Sequence, residues 1–116
     1  MDKISILNIG GKGLIRALYT SIVQDNGDII IHLTDRSHPL FEAHFPQYPI
    51  LPGFALIDIL AESLLDEVVI IHKSKFIRNI FPNDTLECEI SSNEKKRKIK
   101  VFRNNEKVSE VVYDRK

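Results

Sequence analysis

The sequence predicts an α+β domain, on three observations. Residues 54–65 form a run with the length and apolar content of a buried helix. Segments rich in Ile and Val, 28–34 before it and 68–80 after it, read as strands. Asn26-Gly27 and Asn104-Asn105 are placed to close hairpins between strand-like neighbours.

Taken in order, residues 1–13 are mixed, with Gly10-Gly11 marking a turn. Residues 14–23 are apolar at both helical and strand spacing and fit either. Strand 28–34 carries Ile29, Ile30, Ile31 and Leu33. A loop from His44 to Pro52 contains Pro46, Pro49 and Pro52, three of the five prolines, and stiffens the chain ahead of Gly53 and the helix. After the helix comes the β-branched run 68–80, then the turn Pro82-Asn83-Asp84 and a strand over 85–91. Strands 96–102 and 108–113 complete the chain as a hairpin. No repeat and no low-complexity segment interrupts it.

With 116 residues the chain is read as one domain, 1–116, large enough to bury its own core. Sixteen basic and sixteen acidic residues balance, so net charge gives no argument for nucleic acid or a membrane surface. The single Cys88 excludes an internal disulfide and fits a reducing compartment. No stretch has the length of a membrane span and the N-terminus has no signal-like apolar region, so a cytoplasmic protein is expected. The basic run 95–98 reads as a solvated strand and turn, or as an edge guarded by lysines, and not as a nucleic-acid site. His32 and His72 fall in strand-like runs. Cys88 reads as a small strand residue, not a nucleophile.

Chemistry is expected where the proline-rich loop meets the helix. From Phe54 to Ala61 nearly every residue is apolar, which predicts burial on all sides, and Asp58 interrupts the run. A carboxylate there has to be paired, protonated or facing a cavity. Glu62, one turn on, shares its helix face and raises the pKa of one member of the pair, which prepares a general acid. His44, fourteen residues before Asp58, is held by the prolines as a candidate base. The helix start at Gly53 offers free amides and a positive dipole end to an oxyanion. A structural reading competes: a rigid connector before a helix, with a paired structural acid. His38, Glu42 and His44 match no helical zinc spacing, and no metal is expected.

The run His44-Phe45-Pro46-Gln47-Tyr48-Pro49-Ile50-Leu51-Pro52-Gly53, with the acid at Asp58, resembles the signature of the FabA/FabZ family of 3-hydroxyacyl-[acyl-carrier-protein] dehydratases. A second stretch, from Lys75-Phe76 to Pro82-Asn83-Asp84, is similar to that family's basic-Phe strand and Pro-Gly-Asp turn. The resemblance implies a hotdog fold, an antiparallel sheet wrapped around a long central helix, working as a homodimer or an oligomer of dimers. It implies His44 and Asp58 as catalytic residues contributed to one site by different subunits, and Gly53 as the glycine whose amide meets the thioester carbonyl. The acyl chain is expected along the helix beside Phe54 and Leu56. An acid of the Asp type, and the Pro49-to-Gly53 stretch, lean toward the FabA and aryl-polyene branches.

The implied activity is dehydration of a 3-hydroxyacyl chain carried on acyl carrier protein to the trans-2-enoyl thioester, with no cofactor. Lys73, Lys75, Arg78 or the 95–98 run are candidates to meet an acidic carrier. Two departures stand out: Gln47 where the family usually has Gly, and Glu62 where many members have Gln. If that Gly takes positive φ, Gln47 has to adopt a strained or altered turn. A hotdog acyl thioesterase and a non-catalytic hotdog partner subunit are the alternative readings.

Overall fold

The computed structural model describes residues 7–10, 13–43 and 47–116, the first four by their backbone alone. Among the described residues, three strands, two helices and four strands follow one another: β1 (Leu7–Gly10), β2 (Tyr19–Val23), β3 (Ile29–Leu33), α1 (Pro39–Ala43), α2 (Gly53–Ser63), β4 (Val68–Phe76), β5 (Thr85–Asn93), β6 (Lys96–Arg103) and β7 (Glu106–Arg115). The strands form one antiparallel sheet in the order β1-β2-β3-β5-β6-β7-β4. The α+β architecture expected from the sequence is present, with α2 eleven residues long.

Period-two alternation places the core. On β3, Ile29, Ile31 and Leu33 are buried while Ile30 and His32 are not, and their cross-strand partners on β5 include Leu86 and Cys88. Ile99, Val101, Val111 and Tyr113 continue the same face, and Ala55, Leu56, Ile59 and Leu60 of α2 complete one cluster with them. Burial of the whole of α2 was expected and is found on one side only. Phe54 is 46% exposed and Asp58 is exposed, on the side of the helix turned away from that cluster.

Turn chemistry accounts for the hairpins. Gly27 takes φ +91° between β2 and β3, and Asn104 and Asn105 both take positive φ between β6 and β7, as a two-residue turn of that hand requires. Val108 is an extra residue opposite the Val101/Phe102 step of β6, a bulge whose carbonyl accepts from the amides of Ile77 (2.8 Å) and Arg78 (3.2 Å). The ambiguous segment 14–23 divides into a 3-10 turn, Gly13–Ile15, and β2. The short helix α1 was not anticipated, since five residues carry too little periodicity to read.

The basic run is not an edge. β6 lies between β5 and β7, so of the two readings only the solvated strand and turn fits the sheet order, and Arg97 within it belongs to a buried ion pair. The outer strands are β1 and β4. β4 is tied inward by Lys73, which pairs with Glu110 of β7 at 2.8 Å; Lys107 pairs with the same carboxylate, and the two cations hold it down to about 2. His32 sits beside Thr85 (2.8 Å) and His72 beside Asp114 (3.0 Å), both in strands. Burial pushes the Cys88 thiol well above its ordinary range.

Helix α2 ends without a glycine. Leu64 closes it, Leu65 takes φ +59°, and the amides of Leu65 and Asp66 donate to Glu62 O (3.1 Å) and Ala61 O (2.8 Å). A left-handed leucine carries a penalty of about 1 kcal/mol that glycine does not. Leu65→Gly is therefore expected to raise the melting temperature by a few degrees. A lower melting temperature would instead mean that the exposed Leu65 side chain is buried against another chain.

Candidate active site

Two stretches separated in sequence meet at the start of α2. The Leu51 amide donates to Ile80 O at 2.7 Å, and Tyr48 packs edge-on against Phe81, ring centres 5.7 Å apart. Arg103 lies over the Phe81 ring, 5.6 Å from its centroid, and its Nη1 donates to Asn79 O (2.8 Å) and Asp84 Oδ2 (2.7 Å). Asp84 Oδ2 also accepts from the Phe81 amide at 2.8 Å, closing the Pro82-Asn83-Asp84 turn, in which Asn83 has φ +67°. The turn thus braces the proline-rich loop.

Gly53 opens α2. Pro52 is its N-cap, offers no side-chain acceptor, and through its carbonyl accepts the amides of Ala55 (3.1 Å) and Leu56 (3.2 Å). The first-turn amides and the positive end of the helix dipole therefore lie next to the braced loop. What approaches Gly53 most closely is the Phe76 ring of β4: a Cβ at residue 53 would lie 2.6 Å from its Cζ. Close packing with an aromatic ring is thus one reason for glycine here, and Phe76 is a site neighbour that the sequence did not reveal in this role.

Asp58 and Glu62 lie on the open face of α2, one turn apart. Partial desolvation and then the charge of Glu62 raise the Asp58 carboxyl above its ordinary range. Glu62 accepts a hydrogen bond from the hydroxyl of Tyr19, which is 2% exposed. Tyr19 lay in the segment whose period was ambiguous, and no local pattern joined it to Glu62, 43 residues away.

Phe54 and Leu56 do not share a face. Phe54 is at the surface beside Asp58, whereas Leu56, two residues round the helix, is 1% exposed in the core. An apolar groove of about 530 Å³ opens beside α1, lined by Leu14, Ala17, His38, Leu40 and Ala43 among others. His44, the expected base, lies outside the described residues, as do Phe45 and Pro46. His38 is committed to the backbone: Nε2 donates to Arg16 O (2.7 Å) and Nδ1 accepts from the Leu40 amide (3.0 Å). Among the described residues no group of three or more His, Cys, Asp or Glu is placed to hold a metal ion, and no helix is long and apolar enough to cross a membrane.

An antiparallel sheet packed on one helix, with an acid on that helix beside a braced proline loop, defines a fold shared with acyl-thioester dehydratases. The chain matches the ApeI-like family model, described as ApeI dehydratase, over residues 21–114, and it belongs to that family. It is similar to the 3-hydroxyacyl-[acyl-carrier-protein] dehydratase FabZ of Clostridium kluyveri, 33% identical, with 43% of this chain and 44% of the relative covered. FabZ of Rhodospirillum rubrum is 25% identical, with 66% and 57% covered. The chain spans about half the length of the curated relatives it matches.

Among solved structures, the dehydratase heterocomplex ApeI:P from Xenorhabdus doucetiae superimposes with a TM-score of 0.64 at 27% identity, covering 76% of this chain and 86% of that one. A protein from Erwinia carotovora superimposes over 100% of this chain and 96% of its own at 17% identity and a TM-score of 0.59, a likeness of fold alone. The fold is the hotdog fold.

Proposed function

We propose that the protein dehydrates a 3-hydroxyacyl thioester carried on acyl carrier protein, with His44 as base and Asp58 as acid. The observation that carries this reading is the position of Asp58: on the open face of α2, beside Phe54, with its carboxyl biased toward the protonated form. His44 removes the proton α to the thioester carbonyl, and the Gly53 amide meets the enolate-like oxygen. The C–O bond breaks as Asp58 delivers its proton, the hydroxyl leaves as water, and the carbon–carbon double bond forms. The proton on His44 returns through solvent to restore Asp58. The apolar groove beside α1 is lined in part by Ala43, the residue before His44 in the sequence, and has the character an acyl chain needs.

The reading includes a dimer, and β4 supports it. This outer strand exposes Val69, Ile70, Ile71 and Phe76, and Ile77 follows it. A long apolar edge of this kind pairs with another chain, and a second copy would also cover the Phe54 and Asp58 stripe of α2. Ile71→Lys is expected to convert a particle of twice 13.3 kDa into a single chain in light scattering, and to abolish turnover, since in the proposed dimer His44 and Asp58 of one site come from different subunits. The neighbour from X. doucetiae is a heterocomplex, so a wild-type chain that stays monomeric until a second protein is supplied would replace the homodimer with a mixed one.

The test of function is incubation of wild type with a crotonyl or longer enoyl thioester on acyl carrier protein, read by mass spectrometry. Addition of water supports the dehydratase. Free acid without hydration means a thioesterase, and neither product across chain lengths means a non-catalytic partner subunit.

A further inference from the structure

Glu62 stands where many members of the resembling family have Gln, and a carboxylate cannot donate the hydrogen bond that an amide gives to a neighbouring acid. It can act on Asp58 through its charge, and a charge acts reproducibly only if it is held. Tyr19 holds it. The side chain lies at the start of β2, opposite Leu33 of β3, on a strand packed against α2, and its buried hydroxyl donates to Glu62 Oε1. Burial first, and then the bond to Glu62, push the phenol far above its ordinary range, which keeps it a donor. Ser63, the next residue on α2, is buried beside the same hydroxyl.

We propose that Tyr19 is a positioning residue for the acid of the site: by donating to Glu62 it fixes that carboxylate one helical turn from Asp58, so that the charge beside the acid acts from a set position. Of the elements packed against α2, β2 brings Tyr19 and the 3-10 turn brings Arg16 behind it, yet among the described groups the charge that acts on Asp58 is that of Glu62. Once Asp58 has given up its proton, two anions stand one turn apart, which draws a proton back from solvent and resets the site. Only the proton transfer to substrate rests on the dehydratase reading; the arrangement of Tyr19, Glu62 and Asp58 does not.

The test combines carbon-13 titration of the Asp58 carboxyl with the pH dependence of kcat/KM for dehydration, in wild type, Glu62→Gln, Tyr19→Phe and the double variant. In Glu62→Gln, both the Asp58 titration and the alkaline limb are expected to move to lower pH. Tyr19→Phe is expected to lower kcat by roughly 3- to 10-fold, the worth of one hydrogen bond, and to add nothing further in the Glu62→Gln background. An Asp58 titration that is the same in wild type and Glu62→Gln overturns the proposal. So does a Tyr19→Phe loss of equal size in both backgrounds. If Tyr19→Phe does not fold, the Glu62→Gln titration decides. If wild type does not turn over, a displaced titration retains the three-residue arrangement while the dehydratase reading falls.

Discussion

Asp58→Asn is expected to lower hydration of an enoyl thioester by roughly 10²–10⁴-fold while leaving the chain folded. Asparagine keeps the shape of the side chain and a hydrogen-bond donor, but it has no proton to transfer. The stability effect should run in the opposite direction. A carboxyl whose folded pKa lies above its unfolded value stabilises least when ionised, so its contribution falls as pH rises through the folded value. The variant without that carboxyl is therefore expected to be at least as stable as wild type at neutral pH. Loss of rate with no loss of melting temperature is the signature of a group kept for chemistry. His44→Ala should lose rate by a similar factor for a different reason, the missing base. Should Asp58→Asn keep activity within tenfold of wild type, another group is the acid, and the reading of α2 is wrong.

The features legible in the sequence are those whose cause is local. Gly53 and the apolar run after it announce α2, and Asn104-Asn105 announces its hairpin, because helix period and turn conformation are written within a few residues. Asp58 was legible for the same reason, as a charge interrupting an apolar run. Its exposure was not. Whether a helix face is covered depends on what packs there, and the sheet order that leaves β4 outermost is a matter of long-range pairing. Tyr19 was hidden in a segment that fits both periods. Arg97 looked like one of four solvated cations, although its guanidinium is mostly buried. The partner of each lies more than thirty residues away, at Glu62 and at Asp66, where no sequence pattern reaches.

Asp66 carries the largest stability effect expected of a single substitution. It follows α2 and precedes β4, with a side chain 3% exposed, and it gathers three partners. Arg97 donates to it through Nε (2.9 Å) and Nη2 (3.2 Å), the Tyr113 hydroxyl donates at 2.6 Å, and Arg115 Nη1 stands 3.6 Å away. Burying such a pair is expensive in itself, but removing one member leaves the other charged, dehydrated and unpaired, which costs about 3–5 kcal/mol. Asp66→Ala is therefore expected to melt roughly 10–20 °C below wild type. Arg97→Met in the same chain should restore part of the loss, because it removes the orphaned guanidinium. The cluster also joins the end of α2 to β6 and β7, so it sets where the helix, and with it Asp58, sits on the sheet. Below the melting range, Asp66→Ala should accordingly lose turnover more than substrate binding, with kcat falling while KM changes little. A melting temperature within a few degrees of wild type would show that the fold does not depend on this buried carboxylate.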